Sequence, residues 1–137
     1  FQSTVGQIIE VTVTANGELI VDRVVTVVDP HTVVNPSIVE AQIEGSVIDA
    51  LSAALYSQID VEDGAVVQSN FDSYRMMTMA DVPASIETHI MPQGGHPGGM
   101  GEVGIPCVAP ALTSAIYNAT GHRIRSLPIS GSGLVSV

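Results

Sequence analysis

Apolar positions in the first quarter of the chain follow the pattern of β-strands. Residues 5–15 and 19–28 are rich in Val, Ile and Thr, the residue types that favour strands. Asn16-Gly17 lies between the two runs, and this pair tolerates the positive φ of a tight hairpin turn. One buried face of the second run is predicted to consist of Leu19, Val21, Val25 and Val27. The segment therefore predicts a β-hairpin with one side turned to a core.

The pattern then changes to the three- and four-residue spacing of an amphipathic helix. Asn35 suits the N-cap and Pro36 the first helical position, and we predict a helix from there to about Tyr56. Its apolar stripe is predicted to consist of Ile38, Ile43, Val47, Leu51, Ala54 and Leu55. Gly45 and Ser46 are small residues in mid-helix, which either close packing or room for a ligand would explain.

The rest of the chain predicts short strands, a loop and a second helix. We expect a strand pair over 57–70 with its turn at 62–64, followed by an irregular stretch over 71–83. A strand over 85–91 and a Gly/Pro-rich loop over 92–107 come next. A helix then runs from near Val108 to just before Gly121, and an extended tail covers 126–137. The predicted fold class is α+β, and the length suits one domain spanning residues 1–137.

Composition indicates a surface that is short of charge. Charged residues make up 13% of the chain and hydrophobic residues 45%, against about 25% charged residues in ordinary soluble domains. We therefore expect other protein to cover part of this surface. The net charge is −10 and lysine is absent, which argues against nucleic acid or anionic lipid as a partner. No run of about 18 apolar residues predicts a membrane span.

The candidate chemistry lies in the glycine-rich loop. Residues 94–101 contain five glycines, and Glu102 follows directly, ahead of a helix start. Such a loop is either a solvated surface feature or a backbone that a ligand can approach closely. The four histidines lack metal-ligand spacing, so we predict no metal ion held by protein ligands. Cys107 cannot form a disulfide within the chain, and an inert cysteine is the commoner outcome at such a position.

Several motifs occur in one order along the chain. They are Thr-Val-Val-Asn-Pro at 32–36, Ala-Gln-Ile-Glu-Gly at 41–45, Pro-Gly-Gly-Met-Gly-Glu-Val-Gly-Ile-Pro at 97–106, and the segments 68–74, 116–121 and 123–128. Together they resemble the xanthine dehydrogenase and aldehyde oxidase family of molybdenum hydroxylases. The likeness extends in particular to isoquinoline oxidoreductase β subunits and related bacterial aldehyde dehydrogenases, in the C-terminal molybdopterin-binding part of the large subunit.

The resemblance implies roles for three residues. Glu102 matches the family's catalytic glutamate beside molybdenum, Gln42 the glutamine that hydrogen-bonds the pterin, and Gly101 the glycine that lines the metal site. It implies molybdopterin with molybdenum as the cofactor, in a bacterial enzyme as the cytosine dinucleotide, and iron–sulfur clusters in a partner subunit. Val103 and Cys107 stand where the family commonly has proline, and Asp29-Pro30-His31 departs from a position where glycine is common. These departures leave the substrate class open.

The function implied is oxidation of an aldehyde or an N-heteroaromatic compound, with water as the oxygen source. The implied partners are the remainder of the large subunit or a second chain that completes the molybdenum site, an iron–sulfur small subunit, a small-molecule substrate, and a cytochrome as a further candidate electron acceptor. The resemblance favours a bacterial periplasmic or membrane-associated complex, with the cytoplasm as the alternative. The alternative function is a non-catalytic acidic binding or structural module, whose glycine loop is only a surface feature.

Overall fold

The computed structural model describes residues 2–133 as a mixed helix and strand fold, which confirms the α+β prediction. Its strands are β1 (Thr4–Val13), β2 (Leu19–Asp29), β3 (Val61–Glu62), β4 (Ala65–Val66) and β5 (Ser85–Ile90); its helices are α1 (Pro36–Leu55) and α2 (Val108–Thr120), and Ile129–Gly131 form a 3-10 turn. Each predicted element up to α2 is present, although β3 and β4 are only two residues long.

The hairpin of β1 and β2 contains a β-bulge that reverses the predicted faces of β2. Arg23 pairs with Glu10 and Val21 with Val11, so Asp22 is the extra residue between them. An inserted residue shifts the alternation of side chains by one position. Beyond the bulge the buried residues are therefore Val24, Thr26 and Val28. The prediction that Val25 and Val27 belong to the buried face is wrong for this reason.

The hairpin and β5 form one sheet in the order β1-β2-β5, with β5 parallel to β2. A parallel pair needs a crossover, and α1 supplies it. In the described part of the chain, α1 packs on β5, α2 packs on β1, and the two helices contact each other. Their side chains share one core with the inner face of the sheet. This core includes Val24, Val28, Ile43, Leu51, Leu112, Ile116 and Ile129.

The first helix begins where the sequence predicts. The Asn35 side chain accepts a hydrogen bond from the Ser37 amide at 3.1 Å, and Pro36 is the first helical residue. The predicted stripe is wrong at Ile38, which is 66% exposed, because Val39 takes the buried position instead. Ile38 lies roughly 140° around the helix axis from the fully buried Ile43, since each residue advances about 100°.

Residues 57–83 form an extension that we call the arm. It contains the β3–β4 hairpin and the irregular stretch, and most of its side chains are exposed. After α2 the predicted extended tail is wrong at Ile129–Gly131, where the 3-10 turn fully buries Ile129 in the core. The last four residues of that predicted tail, 134–137, lie outside the described part of the chain.

Candidate functional site

The glycine loop is fastened to the turn that follows β2. The Gly98 amide donates to the Pro30 carbonyl at 2.9 Å, and the Gly94 amide donates to the His31 carbonyl at 3.2 Å. The Thr32 hydroxyl donates to the Gly95 carbonyl. The two loops joined by these contacts are 63 residues apart at Thr32 and Gly95, and sequence spacing does not reveal that they meet. The first half of the loop is therefore held in place by a second loop.

His31 has a structural part in this arrangement. It has a positive φ of 64°, and its backbone amide donates to the Asp29 carboxylate at 2.8 Å. Its ring Nε2 lies 2.7 Å from the Gln2 carbonyl oxygen, which can only accept, so Nε2 is the donor in this hydrogen bond. Ser3 in the same N-terminal segment donates from its hydroxyl to the Gly99 carbonyl at 2.8 Å. His31 thus joins the N-terminal segment to the turn that fastens the loop.

The structure brings the three residues implied by the resemblance together. Gln42, on α1, donates from Nε2 to the Gly101 carbonyl at 2.7 Å, and Glu102 is the next residue. Glu102 is exposed, and no residue among 2–133 holds its carboxylate by a hydrogen bond or an ion pair. A Cβ added at Gly101 would have no described atom within 4 Å. A carboxylate and open space thus lie side by side.

The other end of this segment is tightly packed. Gly104 is buried, and a Cβ there would collide with the Ser46 hydroxyl and approach the Ser46 Cβ to 3.2 Å. Of the two explanations for small residues in mid-helix, close packing therefore holds for Ser46. The Glu102 carbonyl accepts from the Ile105 amide at 3.1 Å, which closes a turn just ahead of α2. Cys107 precedes α2 without forming a side-chain cap.

Sequence reasoning missed Gln7. This residue of β1 points to the inner face of the sheet, where its Nε2 donates to the Gly104 carbonyl at 3.0 Å and to the Thr26 hydroxyl at 3.2 Å. Its Oε1 is buried and has no hydrogen-bond partner within residues 2–133. The available signal was a polar residue between Val5 and Ile9 in a strand where alternate positions face the core.

Within residues 2–133, no group of three or more His, Cys, Asp and Glu side chains is placed to hold a metal ion. Neither of the helices in this part of the chain is long and apolar enough to cross a membrane.

Comparison with known proteins identifies the family. Residues 3–83 match the molybdopterin cofactor-binding domain. The chain belongs to this family. The match covers the hairpin, α1 and the arm, and it confirms the resemblance drawn from the sequence motifs. Within this molybdopterin-binding chain, the Gln42 amide lies inside the matched residues, whereas the loop that carries Gly101 and Glu102 follows them.

Relatives with names extend the comparison over more of the chain. The molybdopterin-binding chain is 38% identical to the isoquinoline 1-oxidoreductase β subunit of Brevundimonas diminuta, over 81% of this chain and 14% of that protein. It is 33% identical to the molybdenum-binding subunit of an aldehyde oxidoreductase of Escherichia coli strain K12, over 94% of this chain and 19% of that protein.

A solved structure shares the fold. The crystal structure of quinoline 2-oxidoreductase from Pseudomonas putida 86 matches with a TM-score of 0.78 at 29% identity, over 87% of this chain and 16% of that one. The chain therefore spans less than a fifth of the length of each of these three proteins.

The residues around Glu102 fit a molybdopterin cofactor. The pterin is a flat, hydrogen-bonding group, and Gln42 offers it a neutral amide that brings no charge: one N–H binds Gly101, and the second N–H and Oε1 remain as a donor and an acceptor. The open space at Gly101 leaves room for a group to approach the backbone there.

Proposed function

We propose that residues 1–137 are the C-terminal portion of the molybdopterin-binding domain in the large subunit of a molybdenum hydroxylase. The enzyme would oxidise an aldehyde or an N-heteroaromatic compound, with water as the oxygen source. The observation that carries this proposal is the exposed Glu102 carboxylate beside the open space at Gly101, in a chain of the molybdopterin-binding family. A solvated loop without a role would not need the contacts that hold this one to the turn after β2, to the N-terminal segment, to β1 and to α1.

Glu102 is the proposed catalytic base. When bound, the molybdenum cofactor supplies a two-electron redox centre at which an oxygen atom from water is added to a substrate carbon. The attacking oxygen must lose a proton, and a carboxylate within hydrogen-bond reach accepts it at Oε1 or Oε2. Since no residue among 2–133 binds the Glu102 carboxylate, both oxygens are free to take up that proton.

Gln42 and Gly101 have the supporting roles. Gln42 directs its remaining amide hydrogen-bonding capacity to the pterin edge, and Gly101 keeps the approach to Glu102 free of a side chain. Replacement of Gln42 by alanine would therefore lower the molybdenum content of the purified enzyme. The free energy of unfolding should stay close to that of the wild type.

The remaining proposals concern what lies outside this chain. The relatives are named as a β subunit and a molybdenum-binding subunit, which supports an assembly of several subunits. We propose that the remainder of the large subunit or a second chain completes the site, that the cofactor is the cytosine dinucleotide form, and that an iron–sulfur subunit receives the electrons, with a cytochrome beyond it. On the same resemblance we propose a periplasmic or membrane-associated location, with the cytoplasm as the alternative. The relatives' names include both isoquinoline and aldehyde, so substrate profiling of the complete enzyme decides between the two classes.

Glu102→Gln in the complete enzyme tests the proposed function. The amide keeps the size of the side chain but cannot take the proton, and a positioned base contributes about 10²- to 10⁴-fold in rate. We expect kcat to fall by at least about 10²-fold, or roughly 3 kcal/mol of barrier, while the molybdenum content stays near that of the wild type.

Glu18→Gln is the matched control, because Glu18 is exposed at the turn between β1 and β2. It should keep wild-type kcat. If Glu102→Gln keeps its kcat while it holds molybdenum, Glu102 is not the base. If the wild-type enzyme binds no molybdenum at all, the chain is the non-catalytic module instead.

A further inference from the structure

Two glutamines from different elements bind the backbone on either side of Glu102. Gln42 on α1 holds the carbonyl of Gly101, the residue before Glu102, at 2.7 Å. Gln7 on β1 holds the carbonyl of Gly104, two residues after it, at 3.0 Å. A carbonyl oxygen can only accept, so each amide must turn its nitrogen towards the loop. Both contacts therefore depend on a donor that an apolar side chain cannot supply.

The two contacts differ in their surroundings. Gln42 is exposed, whereas the Gln7 amide is inserted between the sheet and the loop, where it also donates to the fully buried Thr26. Burial of the Gln7 Oε1 without a partner within residues 2–133 costs free energy. A methionine or leucine at this position would avoid that cost and still fill the space. The presence of an amide at position 7 is better explained by the hydrogen bond that it donates to the Gly104 carbonyl.

Between these two contacts the backbone has little freedom. Gly104 cannot move towards α1, because Ser46 is already in contact with it. The Glu102 carbonyl is bound to the Ile105 amide at 3.1 Å. The backbone of Glu102 is thus fixed by β1, by α1 and by its own turn, while its carboxylate stays exposed.

We propose that Gln7 and Gln42 are positioning residues that together hold the backbone from which the Glu102 carboxylate extends, through the carbonyls of Gly104 and Gly101. This inference rests on the proposed role of Glu102 as the base. It adds Gln7 to the residues of the reaction and gives Gln42 a second task besides its contact with the pterin.

Gln42→Met and Gln7→Met in the complete enzyme test the inference, because methionine keeps the length of the side chain and removes the donor. A misplacement of about 1 Å at a catalytic group can cost roughly 10²-fold in rate, so we expect each variant to lower kcat, counted per bound molybdenum, by about 10- to 100-fold. Hydrogen exchange of the backbone over residues 98–106 should become faster in both. Gln93→Met, at an exposed glutamine of the same loop, is the matched control and should change neither measurement.

The decisive readout is the same pair of substitutions in a Glu102→Gln background. If the two glutamines act through Glu102, removing the carboxylate leaves them little to position, and neither substitution should lower kcat, counted per bound molybdenum, by more than about twofold further. A further loss as large as in the wild-type background would show that the glutamines act otherwise, and unchanged kcat in the wild-type background would overturn the proposal directly. Gln42 is exposed, so its variant decides the question even if Gln7→Met fails to fold. The proposed function itself fails separately, when Glu102→Gln alone keeps normal kcat.

Discussion

At the scale of single residues, the loop depends on positions where no side chain fits, and Gly104 is one of them. Gly104 packs against Ser46 in the middle of α1, and a Cβ would also lie 3.5 Å from Ile43. Gly101, three residues earlier, has no described neighbour within 4 Å of such an atom. The two glycines of this short segment therefore serve different purposes, one for packing and one for access.

Gly104→Ala should destabilise the chain, because the added methyl group must displace Ser46 or the loop. Overpacking of this kind costs about 1–3 kcal/mol. Denaturant unfolding measures the loss, and Ser46→Ala introduced with it should recover part of it by removing the hydroxyl that the methyl group meets. Gly101→Ala is the control and should stay within about 0.5 kcal/mol of the wild type. Equal losses at both glycines would contradict this account of the packing.

Motif resemblance predicted Glu102, Gln42 and Gly101, and the structure brings these three residues together. It could not predict Gln7, because that contact joins β1 to a loop 97 residues later in the chain. The role of a polar residue in a strand depends on what lies opposite it, which only the fold determines. The same holds for His31, whose ring contact with Gln2 follows from a turn with positive φ.

At the scale of secondary-structure elements, Arg23 of β2 connects all three strands of the sheet. Its guanidinium donates to both carboxylate oxygens of Glu87 on β5, at 2.7 and 2.9 Å, and to Glu10 on β1 at 3.3 Å. Arg23 follows the bulge at Asp22, so the same inserted residue that moved the buried face turned this side chain outward.

Sequence patterns predicted the limits of the strands to within a few residues. They did not reveal the bulge. Charged residues already interrupt the alternation of apolar residues there, so the pattern does not show that one residue is inserted.

Acid should weaken the link between β2 and β5. The hydrogen bond from Arg23, with a smaller contribution from its charge, holds the pKa of the Glu87 carboxyl below its ordinary value. A carboxyl group with a lowered pKa in the folded state stabilises the fold at pH values above its unfolded pKa, and this contribution is lost as the pH falls through the folded pKa. Carbon-13 NMR titration of Glu87 should therefore show a lowered pKa that returns towards the ordinary value in Arg23→Met. Arg125→Met, at an exposed arginine after α2, is the control and should leave the titration of Glu87 unchanged.

At the scale of the whole molecule, the described chain has an inner core and a large exposed apolar surface. The core lies between the sheet and the two helices. Exposed large apolar side chains concentrate in the arm, at Ile59, Val61, Val66, Val67, Phe71, Met76 and Met79. The low fraction of charged residues predicted a covered surface, but composition could not locate it. The location of this surface depends on the arm, the segment between α1 and β5, whose position only the fold determines.

The arm is where we expect the rest of the enzyme to bind. Phe71 is 84% exposed and Met79 is 87% exposed, so replacing both by serine removes apolar surface without disturbing the described core. Exposed apolar side chains concentrated in one segment in this way mark an interaction site. In the chain alone, Phe71→Ser with Met79→Ser should leave the free energy of unfolding within about 0.5 kcal/mol of the wild type and reduce self-association in sedimentation.

In the complete enzyme the same pair of substitutions should impair assembly, measured as the fraction of subunits recovered in the full complex. Burial of a large apolar side chain contributes about 1.5–3 kcal/mol, so the loss of two such contacts is large enough to measure. Asp72→Ser, which changes the exposed polar neighbour of Phe71, is the matched control and should assemble normally. If the double variant assembles as well as this control, and protease cuts the arm as readily in the complex as in the isolated chain, the arm is not the covered surface. The outer face of the sheet, where Ile8 and Val27 are exposed, would then be the next surface to examine.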